Sequence, residues 1–175
     1  MDIGNVGLAG SAYPSGSLWS VTGAGTLSGT ADAFRFLYQS LSADGEIRAQ
    51  LSSVPNTSTN GRVGVIIRET LTPGSKYAFM GISPGGTFRS QSRSSTSGST
   101  ASTVSSACAP PNVWARLVRA GNSLYSYLST TGTNWTLVSS NSITMATNIY
   151  FGLAVASGNT NTLNISTFTN LTAVP

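Results

Sequence analysis

The chain contains no histidine, only five acidic residues and one cysteine in 175 positions. Each shortage excludes something. Without histidine there is no Ser-His triad, no imidazole metal ligand and no imidazole general base near neutral pH. The lone Cys108 cannot close an internal disulfide, which leaves it as a small buried apolar residue or a free thiol. The carboxylates, Asp2, Asp32, Asp44, Glu46 and Glu69, form no Asp-rich calcium loop, and there is neither a CxxC pair nor a Walker loop. Long apolar runs are also missing. No stretch approaches the roughly 18 residues of a membrane-spanning helix, and the N-terminal MDIGNVGLAGSAYP lacks the basic-then-apolar pattern of a signal peptide.

Charged residues make up only 8% of the chain, against roughly a quarter in ordinary domains. Serine and threonine take their place. Disorder does not follow, because apolar residues reach 39% and fall in short, regularly spaced runs. The net charge of +4 is carried by scattered residues with no Lys/Arg run to follow a phosphate backbone, which argues against a nucleic-acid partner. Eight of the nine basic residues are arginine. Arginine inside a strand either ties down a sheet or reads a planar polar ligand.

Helical spacing is nearly absent. Short runs rich in β-formers recur instead: Leu18–Thr22, Ala33–Leu41, Gly45–Val54, Val63–Leu71, Lys76–Ser83, Thr87–Arg93, Val113–Arg119, Ser123–Ser129, Thr136–Ser140, Ile149–Ser157 and Leu163–Leu171. Turn chemistry separates them at Asp44-Gly45, Pro73-Gly74, Pro84-Gly85-Gly86, Gly121-Asn122 and Gly132-Thr133-Asn134. The links at 119–123 and 130–134 are short enough for antiparallel hairpins. Alternation places Phe34, Phe36 and Tyr38 on one strand face, with Arg35, Leu37, Gln39 and Leu41 on the other. It also sends Ile47, Ala49 and Leu51 inward and Glu46, Arg48 and Gln50 outward. Val63–Ile67 and Ile149–Ser157 are apolar on both faces, as expected of central, doubly covered strands. Ser94–Ser106 reads as a long loop or an edge strand. The fold class is therefore all-β, an antiparallel two-sheet sandwich, forming one domain over 1–175 that is large enough for its own core. Met1 followed directly by DIGNVG reads as a start codon placed before a domain cut from a longer secreted protein.

The segments TADAFRFLYQSLSADGEIRAQLSSV, RVGVIIRETLTPGSKYAFMGISPG, SQSR, VWARLVRAGNSLYSYLSTTGTNWTLV, IYFGLAVASGN and STFTNL carry a resemblance across nearly the whole chain. They resemble the concanavalin A-like (laminin-G-like) jelly-roll domains of bacterial secreted and surface proteins, and are similar to the β-xylosidase C-terminal type. The GVIIRE strand and the WARLVRAGN…W hairpin are the specific parts. The resemblance implies a jelly roll with a concave face, in multidomain carbohydrate-active or cell-surface proteins. It matches recurring motif positions at Arg68, Gln91, Arg93 and Arg116. Where the family carries a Trp before the GVxIRE strand, this chain has Asn60-Gly61-Arg62. Relatives sometimes hold calcium, for which Asp2 or Asp32 with backbone carbonyls are the candidates; no other cofactor is implied.

Two readings of the arginines stand side by side. Arg68, Gln91, Arg93 and Arg116, on one face, would offer fixed donors to the hydroxyl or carboxylate groups of a glycan. Alternatively, Arg68 and Arg116 bridge sheet carbonyls and Glu69 in a buried network, since mid-strand arginine needs internal partners. Pyranose rings stack on flat side chains, so Trp19, Trp114, Trp135, Tyr77, Tyr125 and Tyr127 also matter. Tyr125 and Tyr127 share a face opposite Leu124 and Leu128. The expected function is a non-catalytic carbohydrate-binding or adhesion module outside the cell. Its expected partners are a polysaccharide or cell-surface glycan and the other domains of a parent protein. The alternative is a structural spacer. An enzyme would require Asp32 and Glu69 to face each other across a cleft, as a glycosidase's two carboxylates do.

Overall fold

The computed structural model describes all of residues 1–175. Its strands run in chain order as β1 (Asp2–Ile3), β2 (Ser11–Ser15), β3 (Leu18–Gly25), β4 (Phe34–Ser42), β5 (Gly45–Ser53), β6 (Arg62–Arg68) and β7 (Tyr77–Ser83). There follow β8 (Thr87–Arg93), β9 (Ala101–Ala107), β10 (Val113–Ala120), β11 (Ser123–Ser129), β12 (Thr136–Ser142), β13 (Asn148–Ala156) and β14 (Asn159–Val174). No helix forms, and none is long and apolar enough to cross a membrane. Two seven-stranded sheets result. Sheet I has the order β1-β4-β13-β6-β7-β8-β9 and sheet II the order β12-β11-β10-β5-β14-β3-β2, with every pairing antiparallel. This is the expected jelly-roll sandwich.

The period-two pattern explains how the layers meet. Val63, Val65 and Ile67 of β6 and Ala78, Met80 and Ile82 of β7 point at sheet II, where they meet Ile47, Ala49, Leu51, Ala115, Leu117 and Phe168. The intervening residues Ile66, Tyr77 and Phe79 point the opposite way into a second, smaller cluster with Ile3, Leu27, Phe34, Phe36 and Ala154. Sheet I is thus buried on both faces in its middle. That is why β6, β7 and β13 read as continuous apolar runs.

Four elements differ most from the sequence expectation. The two-residue β1 falls outside every run read from the sequence. The first half of Ser94–Ser106 is loop, and its end joins β9, the exposed edge strand of sheet I. The β2 strand, SAYPS, was hidden by its Pro14, which a sheet tolerates only at an edge, where β2 lies. Finally, β14 begins earlier and ends later than Leu163–Leu171. Its pairing with β5 slips between Thr169 and Thr172, where Asn170 adopts a left-handed φ of 51°. This bulge matters for the site below.

Candidate functional site

The middle of the outward face of sheet I is closed. The segment between β3 and β4 folds over it, dropping Leu27 into the smaller cluster with no exposed surface. Asp32 follows and lies 2% exposed between two fully buried arginines. Arg93 grips it in a fork, Nη1 to Oδ2 and Nη2 to Oδ1, both at 2.7 Å. Arg68 Nη1 adds a longer contact of 3.4 Å. The remaining guanidinium donors go to carbonyls: those of Arg68 to Thr70 and Thr72, those of Arg93 to Gly29, Pro73, Ser75 and Gly98. Arg68 also lies 5.1 Å from the Phe34 ring centre, and Arg93 5.0 Å from that of Tyr77. Burial brings the Arg68 pKa down to about 10, which leaves it charged at neutral pH, and pushes the Tyr77 phenol up to about 12. Burial also raises the Asp32 carboxyl, against hydrogen bonds from Arg93 and the charges of both arginines. Gln91 is spoken for as well. It accepts from Arg62 Nε at 2.5 Å and donates to the Leu27 carbonyl at 3.4 Å.

The expected donor set on one face therefore does not form. Arg68, Gln91 and Arg93 belong to sheet I, where their donors are consumed by a buried network that pins the covering loop. Arg116 stands on β10 in sheet II. The buried-network reading holds for Arg68, although its carboxylate is Asp32 and not Glu69. Glu69 instead meets Lys76 at 2.9 Å and accepts from the Ala146 amide. No cavity is lined by Asp32 or Glu69, so the paired-carboxylate cleft is absent. The calcium candidates fare no better. Both Asp32 oxygens are held by guanidinium groups, Asp2 is engaged by the Gly10 amide and Arg35, and no three His, Cys, Asp or Glu side chains gather where they could hold a metal ion.

The outward face of sheet II is open. The register sets Arg48 of β5 opposite Arg116 of β10, and Arg116 opposite Tyr127 of β11; Trp114 and Tyr125 lie on the adjoining rows of the same face. Leu124 and Leu128 point inward and are buried, so Tyr125 and Tyr127 are left half-exposed. Arg116 donates from Nε to Glu46 Oε2 at 3.0 Å, and its Nη2 pairs with the same oxygen. Its guanidinium lies 5.3 Å from the Tyr127 ring centre and 5.7 Å from that of Trp135. Trp135 meets Trp114 edge to face at 6.5 Å. Gly132, at a φ of 79°, lets the β11–β12 turn settle on Trp114, since a Cβ there would lie 2.7 Å from the indole.

Beside this cluster a groove of about 390 Å3 runs between Arg48, Trp114, Thr133, Asn170 and Thr172. The bulge in β14 carries Asn170 to its rim and ties it to Gln50 Oε1 at 2.8 Å; Gln50 in turn donates to the Pro111 carbonyl. The indole N–H groups and tyrosine hydroxyls here have no partner in the protein, yet none is a buried orphan, a status confined to Arg35 Nε. They face solvent. Arg48 and Asn170, which line this groove, are not among the candidates singled out from the sequence. Alternation had sent Arg48 outward, but only cross-strand register sets it beside Trp114. A second cavity of about 210 Å3 opens between the sheets among Trp19, Leu37, Ile47, Phe151 and Leu171. It is too apolar to orient a polyol.

No protein-family model matches the chain, and no characterised protein matches it by sequence. Solved structures do match it in shape. A functionally unknown protein from Saccharomyces cerevisiae is 14% identical, with a TM-score of 0.75 over 94% of this chain and 92% of its own. The GH43 protein BlXynB from Bacillus licheniformis is also 14% identical, with a TM-score of 0.61 over 90% of this chain; the match spans 32% of that larger protein. The carbohydrate binding module CBM66 from Bacillus subtilis is 12% identical, with a TM-score of 0.55 over 95% of this chain and 92% of its own. At such identities the likeness is one of fold, the two-sheet sandwich.

Proposed function

We propose that this domain is a non-catalytic carbohydrate-binding module, working outside the cell, that receives a glycan on the open face of sheet II. The observation that carries this reading is the cluster of Trp114, Trp135 and Tyr127 around the Arg116–Glu46 pair. Flat rings supply stacking surface, while the free indole N–H and phenol groups supply hydrogen bonds at its margin. The site is assembled on paired strands and already braced, so little ordering free energy is lost on binding. A shared fold with a carbohydrate binding module supports the reading.

The test is a glycan array probed with the wild-type chain and with Trp114→Ala and Tyr127→Ala, each checked for an intact fold. Binding to a defined glycan class that both substitutions weaken is the expected result. A folded wild type that binds no glycan, or binding that neither substitution changes, rejects it.

A second reading has one specific observation behind it. The β2–β3–β14 side of the same sheet carries no charge and exposes Tyr13 (66%) and Ile165 (54%). Such a patch suits packing against a sister domain. Sedimentation that shows association, abolished by Tyr13→Ser with Ile165→Thr, would favour it.

A further inference from the structure

Arg48 is the one basic side chain of the nine with no hydrogen-bond or ion-pair partner; the other eight all have at least one. It is half-buried, and its backbone is paired on both sides, to Arg116 of β10 and Thr172 of β14. Two arginine residues are thus directly paired across neighbouring strands, and like charges so paired are unfavourable without a compensating anion. Glu46 supplies only one negative charge, and Arg116 takes it. No other side-chain carboxylate is free to serve. Asp2 is bonded to Arg35, Asp32 lies in the buried network, Asp44 accepts from the Gly121 amide, and Glu69 is held by Lys76. The patch therefore carries one uncancelled positive charge at the wall of a groove whose other wall is an indole.

We infer that this groove seats the acidic group of an anionic saccharide, a uronate carboxylate or a sugar sulfate, on Arg48, with the adjoining ring against Trp114. The inference rests on sheet II being the glycan face and adds the charge of the ligand. Arginine suits the task because its fork of donors matches two oxygens of a planar or tetrahedral oxyanion. Arg48 brings that fork undiverted, since nothing internal competes for it. The groove wall is fixed beforehand by the Asn170–Gln50 and Gln50–Pro111 hydrogen bonds, and its volume of about 390 Å3 falls in the range of small-ligand sites.

Calorimetric titration with three probes tests this: a galacturonic acid trimer, a sulfated galactose trimer and the neutral galactose trimer, at about 50 and about 300 mM salt. Wild type should bind at least one acidic trimer roughly tenfold or more tighter than the neutral one, as a charge-assisted hydrogen bond requires. Which acidic trimer wins identifies the oxyanion. Arg48→Gln should erase that preference, so that acidic and neutral trimers bind alike. Arg89→Gln, which removes the same charge from sheet I, should leave the preference intact. Equal losses in the two variants would mean that only overall charge attracts the ligand, and the inference falls. Equal binding of acidic and neutral trimers by wild type also overturns it, while leaving the glycan reading standing. No binding of any trimer rejects the inference, and the glycan array then decides separately whether the broader reading survives.

Discussion

The outward faces of the two sheets carry similar residues put to opposite ends. Each has two arginines and a carboxylate beside aromatic rings: sheet I sets Arg68 and Arg93 against Asp32, Phe34 and Tyr77, while sheet II sets Arg116 against Glu46, Tyr127 and Trp135 and leaves Arg48, its neighbour on β5, unpaired. What separates them is one loop. Between β3 and β4 the chain crosses sheet I, buries Leu27 and Asp32, and lends the Leu27 carbonyl to the Gln91 amide and the Gly29 carbonyl to Arg93. Over sheet II only the β11–β12 turn folds, onto Trp114 at one end of β10, so Arg116 and Arg48 stay partly exposed and Arg48 keeps its donors free. The same chemistry holds a loop in place where it is roofed, and can serve a ligand where it is open.

That contrast can be attacked at several points. The largest effect should come from Asp32→Ala. It strands two charged arginines with no counter-charge in a dry site, and should cost about 3–5 kcal/mol of stability. Chemical denaturation reads the loss directly, and a loss under 1 kcal/mol would show that the network does not hold the loop. Leu27→Ala should follow at about 2–4 kcal/mol, because the void it leaves lies beneath the same loop. It should also speed amide hydrogen exchange over residues 26–33 before other segments. Unchanged exchange there would mean that the loop is anchored elsewhere.

On the open face the balance reverses. Arg116→Gln should change stability by less than about 1 kcal/mol, since its pair with Glu46 is partly exposed, yet it should weaken glycan binding severalfold on the array. A variant that binds as well as wild type would remove Arg116 from the site. The smallest effect concerns Cys108, whose thiol burial pushes up to about 11. Alkylation near pH 8 should run roughly 100-fold slower than for a thiol at its ordinary value, and accelerate about tenfold per pH unit up to about pH 11. A flat pH profile would contradict the shift.

Much of this fold was legible in the sequence. Alternation placed Ile47, Ala49 and Leu51 inside, and the doubly apolar runs of β6 and β13 announced their central positions. The site was legible only in pieces. Tyr125 and Tyr127 followed from their alternation with Leu124 and Leu128, which is local information. Arg68, Gln91 and Arg93 looked like their counterpart Arg116 because strand position was all the sequence offered. Whether a guanidinium has a partner depends on a loop more than thirty residues away, as the Asp32–Arg93 contact shows. Arg48 was missed for the converse reason: an outward arginine two residues from Glu46 reads as an ordinary surface charge until the register pairs Arg48 with Arg116 and the carboxylate goes to Arg116. The β14 bulge at Asn170 left no signal beyond an asparagine, a residue that tolerates left-handed φ.

The central claim is that ligand meets sheet II and not sheet I. Amide and indole chemical-shift mapping by NMR, with a glycan found on the array, tests it most directly. The account predicts shifts at Arg48, Trp114, Arg116, Tyr127, Trp135 and Asn170, including both indole N–H signals, with residues 26–33 and 68–76 unmoved. Shifts gathered instead around Asp32, Arg68 and Arg93 would contradict it, since they would show that the roofed face opens to its ligand.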